Sequence, residues 1–99
     1  MANEKTREHA RAVITTISEE TNQEVIKNYE IPTLYDLETA QETGFAVVLT
    51  VSTKYDYTSD VLKMWQERFH ADDYMIRVRR NQLRLRFNVR FGTNQRIEL

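Results

Sequence analysis

Arg77, Arg79, Arg84, Arg86 and Arg90 are the residues whose type and spacing suggest chemistry. They lie in the run YMIRVRRNQLRLRFNVRF, Tyr74 to Phe91, at alternate positions within each half, and Asn88 falls in the same alternation. A guanidinium is planar and permanently charged, and its fork of donors matches phosphate or carboxylate. A row of them is anion-recognition chemistry, directed at a nucleic-acid backbone or an acidic protein surface. Seven arginines and no acid lie between Tyr74 and Ile97.

Other chemistries find little support. The chain has no cysteine, which excludes disulfides, zinc–thiolate sites and thiol nucleophiles. His9 and His70 have no second histidine at helical ligand spacing, and His70 with Asp72 and Asp73 is the nearest approach to a metal cluster. Ser18, Ser52 and Ser59 lie in no strained nucleophile elbow. Two glycines cannot build a phosphate-cradling loop. No helix-turn-helix or zinc-finger signature is present. The expectation is a non-enzymatic protein without cofactor or metal.

The arginines must be positioned by strands. Ile76 and Val78 alternate with them in the first half of the run, and Leu83, Leu85, Phe87, Val89 and Phe91 in the second. This period of two predicts a β-hairpin with one apolar and one arginine face. A one-residue slip would carry arginines into the apolar face. A two-residue turn at Asn81–Gln82 sets Val78 opposite Leu85, Arg79 opposite Arg84 and Arg77 opposite Arg86. A shift by two sets Arg77 opposite Arg84. Both registers place like charges across the ladder, which is unfavourable, so an anion must offset them. It is either external or supplied by the chain's own acids.

The remaining elements follow in chain order. Ala10, Val13, Ile14 and Ile17 form a helical stripe, and residues 3–29 are read as one long helix with a weak point at Thr21, where Thr21-x-x-Glu24 matches a capping box. Such a helix makes a homodimer through the N-terminal helix possible. Pro32 ends it. Thr33-x-x-Asp36 reads as the cap of a short helix through Leu34, Leu37 and Ala40, with Leu37 at the core edge and Gly44 as its stop. Phe45 to Thr53 is a central strand. Lys54 to Thr58 is a loop whose Tyr55 and Tyr57 could reach round to the arginines. Ser59 to His70 is a helix capped by Thr58 or Ser59, with Val61, Leu62, Trp65 and Phe69 turned to the core. Asn94 to Leu99 is a tail or a short edge strand.

The fold class is therefore α+β: a small antiparallel or mixed sheet of about three strands, including the C-terminal β-hairpin, packed by a long N-terminal helix and a central helix. The 99 residues suffice for one domain, 1–99. The net charge of −1 hides an acidic half, residues 1–44 at −5, and a basic half, residues 45–99 at +4. A polar N-terminus and the absence of a long apolar run predict a soluble, cytoplasmic protein without membrane contact.

Two functions are consistent with this pattern. One is a nucleic-acid-binding, DNA-binding or RNA-binding protein, with Arg77, Arg79, Arg84, Arg86 and Arg90 on phosphates and Asn88 adding a hydrogen bond. The other is a protein–protein interaction module: a small regulator or inhibitor of a host protein, of the kind common among phage genes, or a subunit of a larger assembly. In a third arrangement the acidic helix covers the chain's own arginines.

Overall fold

The computed structural model describes residues 5–91. The chain runs α1 (Arg7–Glu20), β1 (Ile26–Glu30), β2 (Thr33–Tyr35), β3 (Glu42–Val51), α2 (Ser59–Phe69), β4 (Asp73–Arg79) and β5 (Gln82–Arg90). The strands form one antiparallel sheet in the order β1-β3-β5-β4, with β2 also paired to β3. The class is α+β, as expected, but the described residues contain five strands instead of about three. The region around Asn94–Leu99 lies outside the described residues. No helix among the described residues is long and apolar enough to cross a membrane.

The ten-residue β3 is central, as its alternation predicts. It pairs with β5 from Gly44↔Arg90 to Val51↔Leu83 in an unbroken register. Phe45, Val47, Leu49 and Val51 of β3 and Leu85, Phe87 and Val89 of β5 are buried on one face. Ala10, Val13, Ile14 and Ile17 of α1 and Leu62, Trp65 and Phe69 of α2 close over them in a single core. The rings of Phe69 and Phe87 meet with centroids 5.1 Å apart. Truncating a ring so enclosed typically costs ~3–5 kcal/mol.

The second helix is capped as predicted: the Thr58 hydroxyl accepts from the Val61 N–H at 3.2 Å. The first helix is shorter than the expected 3–29. It stops at Thr21, whose N–H bonds back to the Ile17 carbonyl at 3.0 Å, while the Asn22 N–H bonds to the Glu19 carbonyl at 3.2 Å, and Asn22 and Gln23 take φ 57° and 59°. Two successive left-handed residues cannot continue a helix. Thr21 is thus a C-cap, and the capping-box match is coincidental. The apolar stripe of α1, Ala10, Val13, Ile14 and Ile17, is packed into the chain's own core.

Beyond Thr21 the chain returns as sheet. β1 and β2 lie end to end along β3 with Pro32 between them, and the Pro32 carbonyl accepts from the Ala46 N–H at 2.9 Å. Proline has no donor of its own, which suits this edge. The expected short helix is instead the loop of the β2–β3 hairpin. Asp36 Oδ1 accepts from the N–H groups of Glu38 and Thr39, a cap-like turn that never extends into a helix. Leu37, read as core edge, sits in that loop at 99% exposure.

Gly44 is not a helix stop but a member of β3. A Cβ there would lie 2.1 Å from the Val89 carbonyl oxygen on the paired strand. Gly44→Ala must push β3 and β5 apart at the end of their ladder. It is expected to lower stability by ~1–3 kcal/mol, the range for overpacking, measured as the midpoint shift in urea unfolding.

Candidate anion-binding face

The sheet's second face carries the arginines. β4 and β5 pair from Asp73↔Asn88 to Arg79↔Gln82, closed by a two-residue turn at Arg80–Asn81. Of the two registers the alternation allows, this is the one shifted by two: Val78 faces Leu83, Arg77 faces Arg84 and Met75 faces Arg86. The Asn81–Gln82 turn, with Arg79 opposite Arg84 and Arg77 opposite Arg86, is not formed. Arg80 takes φ 55° at the first turn position, a place ordinarily given to glycine.

Arg77 and Arg79 on β4 and Arg84, Arg86, Asn88 and Arg90 on β5 all share the face opposite the helices. They divide into two groups. At the base of the hairpin, Arg90 Nη1 lies 3.2 Å from Asp73 Oδ2 and 3.7 Å from Asp72 Oδ2, and the Arg90 N–H donates to Asp72 Oδ2 at 3.0 Å. Asn88, 8% exposed, donates from Nδ2 to Asp73 Oδ1 at 2.7 Å and accepts from Arg86 Nε at 3.0 Å. Arg90 and Asn88 are therefore engaged within the chain. Asp72 and Asp73, which the sequence associates only with His70, are the residues that engage them.

Toward the tip, Arg77, Arg79, Arg84 and Arg86 surround a shallow cleft of about 160 Å³ floored by Val48 and Met75. None of the four forms an ion pair among the described residues. Arg84 Nη2 donates to Gln82 Oε1 at 3.1 Å, whereas Arg84 Nε is buried with no hydrogen-bond partner among the described residues. A buried donor left unmade costs ~1–3 kcal/mol. Glu30 of β1 is an acid on the same face, but Val48 pairs between it and Arg86, and no ion pair joins them. The acids of α1 lie across the sheet, where Glu20 holds Arg68 through two hydrogen bonds of 2.9 and 3.2 Å. The acidic helix does not cover the arginines.

The loop tyrosines do not reach this face. Tyr55 stacks on Trp65 at 6.2 Å, Tyr57 meets Trp65 edge-on at 6.1 Å, and the Tyr57 hydroxyl donates to the Ser52 carbonyl at 2.6 Å. Burial, with the neighbouring Tyr55 adding, pushes the Tyr57 phenol up to about 12. The two histidines meet instead at the junction of the helices. Their rings stack at 4.7 Å, and His9 Nε2 lies 2.8 Å from the Arg68 carbonyl oxygen. Among the described residues, no group of three or more His, Asp or Glu is arranged to hold a metal.

Fold and face together define a two-layer α+β protein with helices on one side of the sheet and, on the other, an arginine row of which only Arg90 is ion-paired among the described residues. Comparison with protein-family models, curated proteins and solved structures found no match, so the functional reading rests on the face itself.

Two measurements probe this electrostatic division. The Asn88 hydrogen bond holds the Asp73 carboxyl below its ordinary value of 3.8; burial opposes this, and Arg90 and Arg86 reinforce it. The stability it contributes is fully present above that value and is lost as pH falls through the depressed one. Asp73→Asn should thus destabilise the protein at neutral pH and flatten its acid-unfolding profile. At the tip, Arg77→Thr removes a like-charge pair with Arg84. It should raise the melting temperature at low ionic strength, by about 0.5 kcal/mol of stability, and the gain should vanish in high salt.

Proposed function

We propose that this chain is a non-enzymatic nucleic-acid-binding protein that engages the phosphate backbone through Arg77, Arg79, Arg84 and Arg86. The observation that carries the reading is the four-arginine cleft in which no member has an ion pair among the described residues and one keeps a buried Nε without a hydrogen-bond partner there. Such a cluster is self-repelling until an anion enters it, and guanidinium forks donate to phosphate oxygens in pairs. Arg90 and Asn88 have a supporting role, because Asp72 and Asp73 already hold them.

The neighbouring positions on this face, Ala46, Val48, Thr50 and Met75, include no aromatic ring. Single-strand binders rely on aromatic platforms for base stacking. The reading therefore favours a duplex, contacted mainly through its backbone. An acidic protein surface is the second reading. It is favoured by the apolar floor of Val48 and Met75, which a phosphate backbone does not need. In that case the protein is an interaction module, such as a regulator or an assembly subunit.

Fluorescence anisotropy with short DNA and RNA, single- and double-stranded, tests the choice. Duplex should bind more tightly than single strand, and affinity should fall steeply with salt. Single alanine variants of Arg77, Arg79, Arg84 and Arg86 should each weaken binding to a similar degree on every sequence and reduce the salt slope by about one. Arg90→Ala should matter less. Unchanged binding after replacing Arg77 and Arg86 together would overturn the assignment, and no binding to any polyanion at low salt would leave the protein-partner reading.

A further inference from the structure

The two edges of the sheet are built differently. The β1/β2 edge is broken by Pro32 and carries a register irregularity in each short strand. Bulges, proline and short strands are the usual devices that stop an edge from pairing with another chain. Within Asp73–Arg79 the β4 edge has none of these three; the charges it carries, Asp73, Arg77 and Arg79, all lie on one face. Asp73–Arg79 is seven residues in unbroken register with β5, and no described strand covers its outer side. It contains no proline, glycine or lysine. Its apolar side chains also extend past the helices: Ile76 is 47% and Val78 71% exposed, although both lie on the face that elsewhere forms the core.

The backbone of β4 is set for pairing. In an antiparallel ladder alternate residues turn their N–H and C=O groups toward one neighbour. With Arg79–Gln82 closing a two-residue turn, Arg79, Arg77, Met75 and Asp73 bond to β5. Tyr74, Ile76 and Val78 turn their backbone groups outward.

We infer that the β4 edge pairs with β4 of a second copy of this chain, antiparallel and centred on Ile76. The side-chain order of the strand selects this occupant. On the apolar face, Ile76 meets the second copy's Ile76, and Tyr74 meets its Val78. On the arginine face, Asp73 meets Arg79 at both ends and Met75 meets Arg77. Every residue of the strand is matched, and both Arg79 side chains gain a carboxylate. Moving the centre to Arg77 would oppose two arginines and strand both aspartates. Moving it to Met75 would leave Arg79 unmatched. The two-fold axis stands perpendicular to the sheet, so the two copies form one continuous sheet with all helices on one side and both arginine clefts on the other.

The chain has no cysteine, so single-cysteine variants report the pairing without background. Directly opposed hydrogen-bonded residues have Cα atoms about 5.5 Å apart, within disulfide reach. Ile76→Cys should form a covalent dimer under mild oxidation. Arg77→Cys and Lys54→Cys, the latter in the exposed 52–58 loop, should not. In sedimentation velocity the unmodified chain should show a concentration-dependent dimer, and Val78→Lys, at an exposed position that leaves the fold intact, should weaken it about tenfold or more. A monomer at every concentration, together with Ile76→Cys linking no faster than Lys54→Cys, would overturn the inference. So would a dimer indifferent to Val78→Lys, or preferential linkage through Arg77→Cys. No nucleic acid enters these experiments, so their outcome is independent of the anion-binding result.

Discussion

The structure depends on the one-sided burial of the β3–β5 ladder. Eight residue pairs run without a slip from Gly44 to Val51, and each strand has its large apolar side chains on one face only. Both helices are drawn to that face because the continuous, bulky apolar surface of the central strands lies there, the other face offering only Ala46 and Val48 among polar and charged neighbours. The arginines are then assigned to the opposite face by geometry: a residue adjacent to a buried Phe87 or Leu85 in a strand must point away from the core. Each link in this sequence constrains the next, so the charge distribution of the surface is a by-product of how the core was patterned.

Charge compensation along that surface is graded. At the base of the hairpin, Asp72 and Asp73 meet Arg90, and Asn88 relays between Asp73 and Arg86. That end is close to neutral and is tied together by short hydrogen bonds. At the tip, Arg77 faces Arg84 across the ladder, Arg84 donates to Gln82 and Arg77 to the Met75 sulfur, with Arg80 in the turn beside them. The gradient orients the face. An approaching anion meets the strongest unbalanced potential at the hairpin end, where low coverage by the protein also leaves the most room. The overall charge of −1 conceals this, because it averages the hairpin with acids such as Glu20, which pairs with Arg68 on the helical side.

What the sequence conveyed depended on how strongly each period was enforced. In β5 every one-residue slip exposes phenylalanine and buries arginine, so the hairpin, its two faces and the membership of the arginine face were legible. The turn was not, because the same side chains satisfy two registers that differ by two residues and Asn-Gln is a weak turn signal. Residues 21–35 misled for a physical reason. Val25 continues the spacing of the α1 stripe, and although Asn22 is a residue that tolerates left-handed backbone, Gln23 after it is not one that announces it. β1 and β2 are edge strands with little burial, so they lack the alternation that marks a strand. Asp36 did supply the side-chain acceptor its motif suggested, but for a hairpin loop. The partition of the arginines was invisible because Asp72 and Asp73 reach Arg90 only through the long-range β4–β5 register.

Trp65, the chain's single tryptophan, is 2% exposed and enclosed by Tyr55 and Tyr57 on the helical side of the sheet. The full thickness of the sheet separates its indole from the arginine cleft. Its ultraviolet emission is thereby a gauge of core integrity that an anion on the far surface does not quench or shift by contact. The protein carries, in effect, an internal optical reference. A substitution on the charged side that changes partner affinity while the emission maximum stays fixed has altered recognition alone, whereas one that shifts the maximum toward the red has loosened the fold.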